Sequence, residues 1–225
     1  MRFNGFGNDH LVTLLMTWTM EGRYNLLFPL ARCDLDEYWE QNQRPILDAS
    51  TVRWMSKQIV GIASALHAIH EPPSNSIIPP DEHRYGRHGD LKPENILWYD
   101  SPEDSKGILV VADLGLSQFN SKKSRSMDSN DQVPVTPRYK PPECDIVGAK
   151  VSRSYDIWTF GCLLLEWVLW AFEGQHARGD FLYELMSPYP SGSQCDTFFD
   201  MIVQHDRECQ VVIKPQVIQV SSRRK

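Results

Sequence analysis

The sequence has no C-x-x-C pair. Its five cysteines (Cys33, Cys144, Cys162, Cys195 and Cys209) are odd in number and scattered. That excludes a disulfide framework or a zinc knuckle and points to a reducing compartment. It also has no basic excess: 23 Lys and Arg stand against 29 Asp and Glu, for a net charge of −6. A chain with this balance is not one that wraps nucleic acid or coats an anionic membrane. The opening MRFNGFGNDH carries one basic residue and no apolar core, so no signal peptide is read there. The most apolar stretch, Phe160–Phe172, is interrupted by Glu166 and is too short to span a bilayer. An intracellular location, cytoplasm or nucleus, is the resulting expectation.

What remains is an ordinary globular chain of 225 residues, 41% hydrophobic and 23% charged, with length enough to bury a core. His10–Met20 and Tyr24–Leu30 are apolar runs around a Glu21-Gly22-Arg23 turn, which predicts a hairpin ended by Pro29. Asp34–Asn42 reads as a short helix. Ser50–His70 reads as a long one, with Val52, Met55, Ile59, Ile62, Leu66 and Ile69 on its buried face, Ser50 as N-cap and Pro72 as stop. Four prolines make Glu71–Arg87 an irregular loop. Ile96–Tyr99 and Ile108–Ala112 predict a second hairpin, Ser117–Gln132 a polar loop, and Tyr155–Phe172 a helix buried nearly all round. After Glu173 the pattern weakens. Strands first and helices later give an α+β layout.

Two strings carry chemistry. His88-Gly89-Asp90-Leu91-Lys92-Pro93-Glu94-Asn95 precedes the first strand of the second hairpin, and Ala112-Asp113-Leu114-Gly115 follows its second strand. A hairpin brings such flanking loops together, so Asp90, Asn95 and Asp113 are expected to converge with Lys92. Phosphoryl transfer asks for this set: hard oxygen ligands for Mg²⁺, a carboxylate facing the attacking hydroxyl, and a cation near the moving phosphate.

Here the chain resembles the eukaryotic protein kinases, in a divergent form of the kind found in fungal kinase-like proteins. HGDLKPEN resembles the catalytic-loop signature H-R-D-L-x-x-x-N and ADLG resembles D-F-G. Thr136, Tyr139 and Pro141-Pro142-Glu143 match the T-x-x-Y-x-A-P-E segment, and Asp156–Gly161 resembles D-V-W-S-F-G. The resemblance covers residues 10–172. It implies a kinase-like α+β fold, a partial small-lobe hairpin plus a mainly helical large lobe. Residues 10–31 would be the small-lobe remnant and hinge, and 32–225 the large lobe, within one partial domain over 1–225.

It further implies ATP and Mg²⁺ as cofactors, a protein hydroxyl as substrate, and Asp90 as catalytic base or orienter. Lys92 would meet the γ-phosphate, its position marking the serine/threonine type. Asn95 and Asp113 would hold the metal. Phe28 would be the gatekeeper, the Pro29 carbonyl and Ala31 amide would meet the adenine edge, and Leu97 would lie under the ring. His88 and Thr136 would support the catalytic loop, Glu143 would pair with an arginine further on, and Asp156 would hold the loop backbone.

Departures keep other readings open. No lysine precedes Lys57, Asn4-Gly5-Phe6-Gly7 reads as a turn rather than a glycine-rich loop, and Leu114 replaces phenylalanine. Gly89 stands where the family has a phosphate-docking arginine, so phosphorylation of Ser121, Ser124, Ser126 or Ser129 is not expected to switch the enzyme by that route. This chain is therefore expected to be weak or inactive by itself. A pseudokinase scaffold is one alternative. A small-molecule phosphotransferase of the aminoglycoside or choline kinase kind, which shares H-G-D-L-x-x-x-N, is another.

Overall fold

The computed structural model describes residues 7–71, 84–121, 128–129, 136–188, 192, 194–203 and 209–222. Pro72, Ser124, Ser126 and residues 4–6 lie outside this set. The chain divides into two compact units. The first comprises Met1–Gln41, Ile46–His88 and Pro93–Lys122; the second comprises Asn42–Pro45, Gly89–Lys92 and Lys123–Lys225.

The first unit opens with a hairpin of β1 (Met16–Met20) and β2 (Arg23–Leu27), in which Met20 faces Arg23. The turn is therefore two residues, Glu21 and Gly22, both at positive φ (51° and 74°). That geometry matches the twist of the flanking strands. The hairpin is shorter than the sequence suggests, because Leu11 instead bridges to Val111. β3 (Cys33–Asp34) then pairs with β5 (Ile96–Tyr99), which pairs with β6 (Ile108–Val111), all antiparallel. The helices are α1 (Leu35–Gln41) and α2 (Ala49–His70).

α2 begins at Ala49, and its cap is Asp48 rather than Ser50: the Asp48 carboxylate accepts from the Thr51 amide at 2.7 Å. Its buried face also differs from the apolar stripe. Ile62, Leu66 and Ile69 are buried, but Trp54 and Gln58 replace Val52, Met55 and Ile59, and Val52 is 49% exposed. The reason is hydrogen bonding. Gln58 Oε1 accepts from the Leu109 amide (2.9 Å) and Trp54 Nε1 donates to the Gly107 carbonyl (2.8 Å). The helix thereby satisfies backbone groups of the neighbouring hairpin. Gly61 lets α2 approach the His10 ring, which a β-carbon would meet at 2.2 Å.

Two stretches read as loops contain strands. β4 (Arg84–Arg87) pairs with β7 (Gln118–Ser121), and in the second unit β8 (Asp128–Ser129) pairs with β9 (Lys150–Val151).

The second unit is built on α3 (Ser154–Glu173), followed by α4 (Gln175–Glu184). α3 is long and apolar enough to cross a membrane by composition. Its buried Asp156 and Glu166 have protein partners, which is the behaviour of a packed core helix. It is not buried all round: Ile157, Gly161, Val168 and Phe172 form an exposed stripe. The tail folds into the short pair β10 (Ser187–Pro188) and β11 (Gln194–Cys195), the hairpin β12 (Phe199–Val203) and β13 (Cys209–Ile213), and α5 (Pro215–Ser222). Phe198 from this tail enters the core with Tyr139, Leu169, Phe181 and Leu185.

Candidate active site

In the first unit, a pocket of about 620 Å³ is lined by Val12, Leu14, Leu26, Phe28, Leu97, Ala112 and Leu114, together with Asn95, Asp113, Glu94 and Gly115. Asn95 and Asp113 flank β5 and β6. Hairpin register brings them to one end, where the Ala112 amide donates to the Asn95 carbonyl at 2.9 Å. Asn95 is buried in a short 3₁₀ turn, Pro93–Asn95. Asp113 is exposed, at φ 56° in the left-handed region, and its carboxylate accepts from the Gly115 amide at 3.1 Å. This local bond compensates the unusual backbone. A β-carbon on Gly115 would lie 2.9 Å from the same Asp113 oxygen, so a side chain there would displace that carboxylate. His88 is fully buried, and its Nε2 donates to the Ala112 carbonyl at 2.9 Å, steadying the residue before Asp113. Pro29 and Ala31 are not among the lining residues; the Pro29 carbonyl accepts from the Tyr99 hydroxyl at 3.1 Å.

In the second unit, Asp90 is 8% exposed. Its Oδ1 accepts from the Thr136 hydroxyl at 2.5 Å and its Oδ2 lies 3.1 Å from Lys92 Nζ. Lys92 Nζ is also 3.4 Å from Thr136 Oγ1. The three residues form a closed triangle of carboxylate, ammonium and hydroxyl. The loop that carries Asp90 is fixed from α3, since the buried Asp156 carboxylate accepts from the Gly89 amide at 2.9 Å. Gly89 adopts φ 82°, a conformation glycine tolerates at no steric cost.

Behind Thr136 stands a buried charged network. Thr136 begins the 3₁₀ turn Pro137–Tyr139. The Tyr139 hydroxyl donates to Glu166 at 2.7 Å, and Arg178 meets the other Glu166 oxygen at 2.8 Å. Burial pushes the Glu166 carboxyl up, opposed by the Arg178 charge and the Tyr139 bond. Burial also pushes the Cys162 thiol up, with Glu166 adding to the effect. Glu143 accepts from the Ser154 hydroxyl at 3.3 Å, while the buried arginine further along, Arg178, is engaged by Glu166.

Of the residues singled out from sequence, the structure therefore brings together Asp90, Lys92 and Thr136 in one unit. It gathers Asn95, Asp113, Phe28 and Leu97 around the pocket of the other. Glu166 and Arg178 lie outside the motif strings, although a carboxylate inside an apolar helix is itself a signal, because such a group requires a partner.

The Thr136–Asp90–Lys92 triangle lies in one unit and the oxygen-edged apolar pocket in the other. Residues 3–187 match the family described as Protein kinase domain. The chain belongs to the eukaryotic protein kinase superfamily. Among relatives, it is 36% identical over 107 residues to Cyclin-dependent kinase 8 of Caenorhabditis elegans, covering 47% of this chain and 16% of that protein. It is 36% identical over 95 residues to Serine/threonine-protein kinase SSN3 of Coccidioides immitis (41% and 19%). It is 29% identical over 160 residues to Dual specificity tyrosine-phosphorylation-regulated kinase 3 of Homo sapiens (71% and 23%). The matched segments thus span less than a quarter of the length of each of these relatives.

Proposed function

We propose that the chain is the phosphotransfer part of a protein serine/threonine kinase, moving the γ-phosphoryl group of ATP to a hydroxyl of a protein substrate. The observation that carries this reading is the Thr136–Asp90–Lys92 triangle. An aspartate held by a neighbouring hydroxyl and ammonium is poised to accept a hydrogen bond from an incoming alcohol and to orient its oxygen. Lys92 offers a positive charge to the transferring phosphoryl group, and Thr136 keeps both partners in register.

The pocket fits the nucleotide. Its volume lies within the range of ligand sites, and its walls are apolar enough for a planar base, against which Leu97 and Phe28 would lie. Asn95 and Asp113 supply hard oxygen donors of the kind Mg²⁺ takes. Among the described residues no cluster of three or more His, Cys, Asp or Glu could hold a metal without help. Magnesium normally retains waters and nucleotide phosphates as ligands, which suits a two-donor site. When bound, the ion would neutralise phosphate charge. Asn95 and Asp113 would hold it, and His88, through the Ala112 carbonyl, would steady the strand end that carries Asp113.

The test uses the full chain, with ATP binding and peptide phosphorylation measured separately. ATP should bind more tightly with Mg²⁺ than without, and Asp113→Asn should remove that difference. Asp90→Asn should keep nucleotide binding and lower transfer by about 10²–10⁴-fold. Unchanged transfer in Asp90→Asn would overturn the assignment. Magnesium-dependent ATP binding with no transfer to any hydroxyl would favour the scaffold reading.

A further inference from the structure

The turn that carries Thr136 has two rear anchors. One is Tyr139, held by Glu166 of α3. The other is Arg138, whose Nε donates to Asp196 Oδ2 at 2.8 Å, with both side chains half-buried. Asp196 lies beyond the residues that match the family, which end at 187.

Asp196 is itself firmly set. On one side the Cys195 carbonyl accepts from Lys214 Nζ at 3.2 Å, and that buried ammonium also donates to the Leu185 carbonyl at the end of α4. On the other side Thr197 is fully buried and donates to the Phe199 carbonyl at 2.7 Å. Phe198 follows in the core, its ring 6.3 Å from that of Tyr139 and 5.9 Å from that of Phe181. The turn between the anchors and the site is short and stiff. Pro137 fixes one φ angle, and the Tyr139 amide returns to the Thr136 carbonyl at 3.2 Å. Displacing Arg138 therefore moves Thr136, and Thr136 is the hydroxyl that bonds Asp90.

We propose that Asp196 is a positioning residue for the Thr136–Glu143 segment, which in the kinase reading faces the peptide substrate, and that tail residues 194–203 and 209–214 are a rear support that sets where Thr136 meets Asp90. The proposal rests on the kinase reading for its consequence in catalysis, but the structural coupling can be measured without it. An ion pair between two half-buried side chains tolerates exchange of its partners better than loss of one.

The experiment compares the full chain with Arg138→Asp, Asp196→Arg, the double exchange, and the milder Asp196→Asn. Three readouts are taken: the ¹³C-methyl resonance of Thr136, the unfolding midpoint, and steady-state constants for a serine peptide and for MgATP. The single variants should shift the Thr136 resonance and raise the peptide KM about tenfold, with the MgATP KM changed less than about twofold. The double exchange should return both the resonance and the peptide KM most of the way. A lowered midpoint with an unmoved Thr136 resonance would overturn the proposal, since the pair would then hold the fold alone. A double exchange as impaired as the singles would overturn it too. If the wild-type chain neither binds MgATP nor phosphorylates a peptide, the kinase reading fails, while the Thr136 resonance still decides the positioning claim.

Discussion

Asp90 and Asp113, the two carboxylates nearest the proposed chemistry, are held by different means. Asp90 is 8% exposed and takes its orientation from a hydroxyl 46 residues away, an ammonium 3.1 Å off, and a loop pinned by Asp156. Asp113 is exposed and takes its orientation from its own backbone, at φ 56°, and from the amide two residues on. The first is set by long-range packing, so it shares the stability of the second unit's core. The second is set by a local turn, so it can be displaced without unfolding anything.

The contrast can be broken most forcefully at Arg178. Arg178→Ala leaves Glu166 buried without its guanidinium and should destabilise the second unit by about 3–5 kcal/mol. Urea unfolding measures this, and Thr136 and Asp90 should lose their fixed geometry with it. A loss under about 1 kcal/mol would show that the network does not hold the segment. At Asp113 the effect should be smaller and confined to ligand binding. Gly115→Ala places a β-carbon against the Asp113 carboxylate, and the MgATP affinity should fall by about tenfold, or ~1.4 kcal/mol. The unfolding midpoint should move little, and a large fall would mean that the turn is part of a core after all.

The smallest effect concerns the helix cap in the first unit. The Thr51 backbone bond, aided by the Thr51 side chain, holds the Asp48 carboxyl below the ordinary aspartate value, against a small opposing effect of burial. A depressed folded value means that this contribution is present above the unfolded aspartate value, about 3.9. It is lost as pH falls through the lower folded value. Asp48→Asn keeps an acceptor at the cap and should flatten that part of the acid limb. A stability–pH curve identical to wild type would show that the cap titration is not felt.

Much of this architecture is legible in the sequence where order is local. The hairpins at Met16–Leu27 and Ile96–Val111 follow from apolar runs and turn residues, and α2 and α3 from helical periodicity. Legibility fails where a contact is remote. β4 and β7 are polar segments without alternation, and only their mutual pairing, Arg84 with Ser121, makes them strands. α2 turns its Trp54 and Gln58 inward because a hairpin edge needs their hydrogen bonds, a demand that hydrophobic counting does not register. Within the site, the motif strings single out Asp90, Lys92 and Thr136. The Arg138–Asp196 pair joins positions 58 apart; Arg138 fills an unspecified place in the Thr136–Glu143 string and Asp196 lies outside every string, so nothing in the motifs points to it.

The contact between Trp54 and Gly107 has a consequence for assembly. Gly107, at φ 79°, ends the loop between β5 and β6 and has no room for a β-carbon against Trp98 and the Tyr99 carbonyl. With Trp54 holding its carbonyl, the hairpin is locked in one register, Tyr99 against Ile108 through Ile96 against Val111. A slip of one residue would turn every side chain of one strand to the opposite face. Asn95 and Asp113 would then no longer end the hairpin side by side. The indole of Trp54 thus acts as a ruler, measuring out the strands so that two oxygen donors 18 residues apart arrive at the same place.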